Sequence, residues 1–366
     1  MPRPAPSCRL LAAVAVALAL PALLYASETP SPPVDPDPVA TFVRKAMAEQ
    51  HLPGLALLVA RHGRVERAEG FGFANLEHQV PVTAQTVFQS GSIGKQFTAT
   101  AVMMLVEAGK LRLDDSIAKY LPEAPESWRA VTIEELLSHT AGFGDYGDDF
   151  DLRRDYTEDE LVRRIAARPL LFPPGTGWKY SNFGYVTLGV LVHRVAGQFY
   201  GDFLAERVFR PLGMSSTRVM SEADLVPHRA AGYVWTKEGW KNQEWVSPTL
   251  NTTADGALYF DVLDLARWDA ALYGERLLPR SRLERMWTVT KLRDGSPNSG
   301  RYGFGWFRDE RDGHLVVEHE GEWQGFTAHI ARYLEDRLTI AVLTNLGGAD
   351  PKSIAAGVAK ILLAAP

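Results

Sequence analysis

Four strand-like runs crowd the end of the chain: RYGFGWF (301–307), HLVVEHEG (314–321), FTAHIARYL (326–334) and RLTIAVLTN (337–345). Charged or glycine-containing turns separate them, as in an antiparallel meander. Near the other end, LALLVARHG (55–63) and RVERAEGFGFA (64–74) read as a hairpin around a glycine turn. Between these regions, 115–285 is a series of short helical patterns broken by proline and glycine loops. Strands at both ends with helices between them predict an α/β (α+β) fold. One antiparallel sheet is built from both termini, 39–114 and 286–366, flanked by helices, and 115–285 is a mostly helical insertion. Helices are expected over 39–50, from Ser92 to a glycine stop at Gly109, and over IAAGVAKILLAA (354–365).

The folded part begins only after an unusual leader. Arg3 and Arg9 precede an apolar stretch from Leu10 to Leu24 and a small residue at Ala26. This is the layout of a secretory signal, 1–26, cut near Ala26. The stretch is short for a membrane span, which needs about 20 residues. An uncleaved anchor is the alternative, because Leu24 is a poor residue two places before the cut. TPSPPVDPDP then makes 27–38 a proline-rich tether to one large domain, 39–366. The expected location is therefore secreted or periplasmic, with no membrane attachment after cleavage. Cleavage removes two arginines and no acid, taking the formal charge from −5 to −7. No basic stripe suits nucleic acid. The one cysteine, Cys8, lies inside the leader, so a mature chain has no disulfide, thiol nucleophile or cysteine metal site.

FQSGSIGKQFTAT (88–100) places a serine, a lysine and two glycines ahead of an apolar run. A Walker loop fails here: Gln89 stands where its first glycine belongs, and Gln96 follows Lys95 instead of Ser or Thr. Gly91-Ser92-Ile93-Gly94 has the wrong spacing for a nucleophile elbow. EGFGFAN (69–75) lacks the third glycine of a dinucleotide fingerprint. What remains is Ser92-Ile-Gly-Lys95, S-x-x-K. Residues three apart share a helix face, so the Lys95 ammonium can lie beside the Ser92 hydroxyl. A serine is a poor nucleophile until a base removes its proton, and a lysine in a partly dry pocket can serve. A helix N-terminus favours the developing oxyanion. The motif alone decides little, since Ser116-Ile-Ala-Lys119 matches it and reads as a plain helix start after Asp114-Asp115.

Two further elements give the motif its context. Tyr180-Ser181-Asn182 lies in PPGTGWKYSNFGY (173–185), and His319-Glu320-Gly321 in VVEHEGEWQGF (316–326). In this order the chain resembles the serine β-lactamase and penicillin-binding-protein superfamily, especially its class C, esterase and D-peptidase branch. That branch carries S-x-x-K, Y-x-N, and K-T-G or H-x-G. LLSHTAGF (136–143), PLGMSST (211–217), YGFGWF (302–307), ADGALYFDVLDLARW (254–268) and LTNLGG (343–348) resemble its framework. The resemblance runs from about residue 37 to the end.

The resemblance implies a β-lactamase/transpeptidase-like fold and a serine hydrolase that uses no cofactor. Ser92 would be acylated. Lys95 and Tyr180 would form the base system, the tyrosine needing nearby cations to stabilise its phenolate. Asn182 would hydrogen-bond Lys95 or a substrate amide, and His319 would orient Tyr180 or the leaving group. The backbone N–H groups of Ser92 and Glu322 would form the oxyanion hole. Gly91 and Gly94 would leave space for the acyl group. Glu320, Gly321 and Trp323 would meet substrate. His139 reads as structural, and the histidines show no metal-binding spacing.

Glu320 departs from the pattern, since penicillin-recognising members have a hydroxyl residue there. An ionised acid repels a substrate carboxylate, unless Arg301 or Arg308 offsets it. The expected reaction is hydrolysis of an ester or amide in a small molecule or peptide, as an esterase or D-amino-acid-type peptidase. The alternatives are a β-lactamase or D-Ala-D-Ala carboxypeptidase, and a non-hydrolytic acyl-binding sensor. Trp178 and Trp323 flank the motifs. Trp235, Trp240 and Trp245 suit either an aromatic wall or ordinary packing, and GFGDYGDDFD (142–151) a solvated loop at the rim.

Overall fold

The computed structural model describes Met1 and residues 37–147 and 149–364. The signal segment and nearly all of the tether lie outside the described residues. From Pro38 onward the chain forms one compact unit.

The two terminal regions meet in one antiparallel sheet of seven strands. In spatial order they are Val80–Pro81, Arg64–Asn75, Gly54–Arg61, Leu338–Thr344, Phe326–Tyr333, His314–Trp323 and Phe307–Arg311. The seam between the termini runs from Leu55 opposite Thr344 to Arg61 opposite Leu338. The first hairpin turns at His62 and Gly63, with φ of 53° and 72°. Such a turn matches the twist of the strands it joins.

The central strands are apolar on both faces, which explains their continuous hydrophobic runs. On one face, Leu57, Val59, Ile340 and Val342 pack under the helices Pro38–Glu49 and Pro351–Leu363, against Val43, Met47, Ile354 and Val358. On the other, Leu58, Ala328, Ile330 and Leu343 meet the helical region through Phe97, Val102 and Trp268.

Several details depart from the sequence expectation. RYGFGWF is not a strand. Arg301 and Gly305 have φ of 52° and 78°, which breaks extension, and the edge strand is Phe307–Arg311. The looped segment instead delivers Tyr302 to the buried end of the neighbouring strand. Ser92 sits in a single 3-10 turn, Gly91–Ile93, ahead of the helix Gly94–Glu107. The helical region also contributes Leu258–Phe260 and Arg218–Val219 to a small sheet with Phe88–Gln89, and forms a hairpin, Tyr233–Thr236 with Gly239–Asn242. Trp235 of that hairpin stacks on His51 at 4.0 Å, and the Trp240 indole donates to the His51 carbonyl. These tryptophans clamp the hairpin to the end of the first helix. Ser116 caps a 3-10 turn by accepting from the Ala118 N–H, and Lys119 pairs with Asp115. The second S-x-x-K is thus a capping site.

One buried ion pair ties the helical region to the sheet. Arg332 on the Phe326–Tyr333 strand and Asp269 on the Val262–Ala271 helix are both fully buried, 2.7 Å apart, and Thr339 donates to the same Asp269 oxygen. Removing one member of such a pair strands the other charge. Asp269→Ala should therefore lose about 3–5 kcal/mol of stability, read as a lower urea midpoint with unchanged slope.

Candidate active site

Glycines create the site by letting three backbones touch. Gly91 has φ of +48°, and a Cβ there would overlap the Glu322 amide nitrogen. A Cβ on Gly321 would overlap the Ser90 carbonyl oxygen, and one on Gly256 would lie 2.7 Å from the Gly91 carbonyl oxygen. Gly94 faces Gly256 at 3.0 Å. These glycines do not hold open space for an acyl group, as the sequence suggested. They pack the serine turn against the His314–Trp323 strand and the 254–258 segment. Ser90 locks the arrangement by donating to the Gly256 carbonyl and accepting from the Leu258 N–H. The edge strand pairs only as far as Glu318. Beyond it the backbone of 319–323 faces the serine turn, with the Ser92 and Glu322 amides on adjoining segments.

The S-x-x-K and Y-x-N residues come together around Ser92. Lys95 is fully buried. Its Nζ lies 2.9 Å from Ser92 Oγ, 2.7 Å from Asn182 Oδ1 and 2.6 Å from the Asp255 carbonyl oxygen. Burial lowers its pKa to about 8 against the opposing pull of Asp255 and Asp145. A neutral amine has two N–H donors and one lone pair. Directed at Asn182 and Asp255, the donors leave the lone pair for the Ser92 hydroxyl.

Tyr180 hydrogen-bonds Ser92, but burial pushes its phenol well above the usual range. The expected phenolate is not favoured. The Lys95 nitrogen lies over the ring, 4.9 Å from its centroid, and burial outweighs whatever help the hydroxyl receives. Tyr180 is a neutral proton donor in this site.

Asn182 opens the helix Asn182–Ala196, whose N-cap is Ser181. Its amide is held by Asp145, which accepts from both the side-chain nitrogen and the backbone N–H. Asp145 lies in the loop read from sequence as solvated. Nothing in the local pattern marks it, because its partner is 37 residues away. His139 accepts the Ser181 N–H at 3.1 Å and packs on Tyr180 with ring centroids 4.3 Å apart. It supports the Y-x-N segment from behind.

His319 is buried, and burial pulls its pKa down to about 3, so the ring is neutral. Nδ1–H donates to the Glu320 carbonyl at 2.5 Å, leaving Nε2 to accept from Tyr302 at 2.9 Å. Neither nitrogen is directed to Tyr180, whose ring centroid is 6.2 Å from that of His319. The expected orienting hydrogen bond is replaced by one to Tyr302. His319 forms the cavity wall with Phe307 and Tyr180.

Strand alternation re-places Glu320. Glu318 bonds Lys352 on the last helix, and Glu322 accepts the Gly348 N–H. Glu320 lies between them on the same strand face, opposite His319 and Gly321. It is exposed, at the rim of the site.

Two cavities flank Ser92. One of about 50 Å³ is lined by Tyr146, Asn182, Leu250, Asp255, Glu322 and Trp323, among others. The Trp323 indole is fixed by Asn251 at 2.6 Å. The other, about 480 Å³, is lined by Trp178, Tyr180, Phe307, His319, Glu320 and Asp350, among others. The linings include four acids, Asp255, Glu320, Glu322 and Asp350, and no lysine or arginine. Arg301 pairs with Asp309 and, like Arg308, lines neither cavity. Trp235, Trp240 and Trp245 line neither. Among the described residues no cluster of His, Cys, Asp and Glu could hold a metal ion, and no helix is long and apolar enough to cross a membrane.

Comparison with known proteins agrees with this fold. The Beta-lactamase family model matches residues 39–364. "Penicillin-binding protein 4*" of Bacillus subtilis is 30% identical over 322 residues, covering 82% of this chain and 70% of that protein. The chain spans 61% and 62% of the length of two other curated relatives. The octameric penicillin-binding protein homologue from Pyrococcus abyssi superposes with a TM-score of 0.80 at 30% identity, over 90% of this chain and 78% of that one. A D-stereospecific amidohydrolase from Streptomyces superposes with a TM-score of 0.73 at 26% identity, over 86% and 96%. With a serine–lysine pair seated on the matching antiparallel sheet, the chain belongs to the Beta-lactamase family of serine hydrolases.

Proposed function

We propose that this protein is an exported hydrolase that cleaves an ester or amide through an acyl-enzyme on Ser92. The single observation that carries the reading is the Lys95 nitrogen 2.9 Å from Ser92 Oγ, its other two partners both acceptors. Lys95 takes the serine proton as Oγ attacks the carbonyl carbon. The Ser92 and Glu322 amides receive the oxyanion, where preorganised donors act with little reorganisation. Tyr180, neutral and hydrogen-bonded to Ser92, protonates the leaving atom and is recharged from Lys95. Water then enters, gives its proton to the same pair, and releases the acid and free Ser92.

The acidic lining separates substrate classes. A carboxylate-bearing substrate, such as a penicillin or a peptide with a free C-terminus, meets Glu320, Glu322 and Asp350 with no lysine or arginine in the lining. Neutral or cationic esters and amides do not. The D-stereospecific amidohydrolase among the similar structures is in keeping with this preference. Export rests on the N-terminal leader, and N-terminal sequencing of the mature protein would find a start near Ser27.

A panel of chromogenic short-chain esters, D-aminoacyl anilides and nitrocefin tests the substrate class. Ester or anilide turnover should exceed nitrocefin turnover at least about tenfold in kcat/KM, the effect of one uncompensated charge contact. Rapid nitrocefin hydrolysis without ester or anilide turnover would contradict it.

A further inference from the structure

The two cavities beside Ser92 are unequal, and the difference assigns the two halves of a substrate. An attacked carbonyl sends its oxygen to the backbone amides and its two remaining substituents to either side. Tyr180, the neutral hydroxyl able to protonate a leaving atom, lines only the larger cavity. The leaving group therefore occupies the space walled by Trp178, Phe307 and His319, and the acyl group enters the smaller cavity. At about 50 Å³ that cavity accepts only a few heavy atoms.

The smaller cavity also holds a half-buried carboxylate that the hydrolytic steps do not use. The Asp255 backbone carbonyl is fixed by Lys95 at 2.6 Å, so the residue cannot drift from the nucleophile. Its Oδ2 accepts a long hydrogen bond from Tyr146, 3.4 Å, and the carboxyl also hydrogen-bonds the Thr253 side chain, both neutral partners. Among the described residues, no lysine, arginine or histidine nitrogen forms an ion pair with it. The charged groups whose fields reach it are Lys95, from the helix below, and Asp145, from the neighbouring loop. The Lys95 nitrogen is already engaged with Ser92, Asn182 and the Asp255 main chain. Burial pushes the Asp255 carboxyl up, against the opposing pull of the Lys95 charge.

We propose that Asp255, with Tyr146, reads a free ammonium on the acyl half of the substrate. The substrates are then esters or amides of short amino acids, such as glycyl or alanyl compounds, with a bulky aromatic or apolar leaving group. This rests on the acyl-enzyme reading of Ser92 and adds the chemistry of the acyl group to it. An ammonium near Asp255 supplies the ion-pair partner that its neutral hydrogen-bond partners do not. Leu250 and Trp323 close the remaining wall on a methyl or methylene.

The test compares three kinds of benzyl ester, alanine benzyl ester in both enantiomers, its N-acetyl derivative and benzyl propionate, with release of benzyl alcohol followed by chromatography. In the wild type one alanine enantiomer should exceed both the N-acetyl ester and the propionate about 30-fold in kcat/KM, the effect of one charge-assisted hydrogen bond. Asp255→Asn should collapse the alanine-to-propionate ratio by about the same factor, mainly through KM, and Asp255→Glu should restore part of it. The ratio cancels any effect on Lys95, which both substrates share. A wild type that prefers propionate to both alanine enantiomers would overturn the inference while leaving a Ser92 hydrolase intact. An Asp255→Asn ratio equal to that of wild type would show that Asp255 serves only to position Lys95. Undiminished turnover of all three esters by Ser92→Ala would instead refute the underlying acyl-enzyme reading.

Discussion

Ser92→Ala should lower kcat/KM for every substrate by about 10⁴-fold or more, because nucleophile and base act as a unit and neither works alone. The loss is chemical and not structural. Ser92 does not hold the turn together; Ser90 does, through Gly256 and Leu258. Deleting the Ser92 hydroxyl removes its hydrogen bonds to Lys95 and Tyr180 and leaves the glycine contacts in place. Thermal unfolding of the variant should stay within a few degrees of wild type while product formation falls to background. An active Ser92→Ala enzyme with the same pH dependence would place the nucleophile elsewhere.

Lys95→Met should cost about 10²–10⁴-fold in kcat/KM, the range for a positioned general base. Methionine fits the buried, apolar course of the side chain and removes an ammonium that burial disfavours. The variant should therefore fold. The pH profile separates this role from simple packing. With a pKa of about 8, Lys95 loses its proton as pH rises through that value, and only the neutral amine can accept the serine proton. Wild-type kcat/KM should fall about tenfold per unit below pH 8 and level off above it. In Lys95→Met that limb should vanish. The same shift links to stability: between about pH 8 and 10.5 the unfolded chain binds a proton that the folded one has released, so the folded state gains stability as pH rises through that window.

The sheet was legible in the sequence because its central strands are buried on both faces and carry long apolar runs bounded by turns. RYGFGWF misleads by the same rule. Its aromatics are buried, but Arg301 and Gly305 adopt positive φ, and a looped segment with a buried Tyr302 looks like a strand in one dimension. At the site, Ser92, Lys95, Tyr180 and Asn182 announce themselves by motif spacing. Their supports do not. Asp145 holds Asn182 and Tyr302 holds His319 through single contacts between distant segments, and neither contact imposes a periodicity. Glycine roles were similarly hidden. Only the fold shows that Gly91 and Gly321 are required where two backbones meet, and that Glu320 starts on the strand face away from His319.

A covalent intermediate on Ser92 is seen most directly by rapid-quench intact-mass and peptide-mapping mass spectrometry with a slowly turned-over ester. The expected result is a mass gain equal to one acyl group, located on the peptide carrying Ser92, decaying at the rate of turnover and absent in Ser92→Ala. Full turnover with no acylated peptide, or the acyl group on another residue, would contradict it.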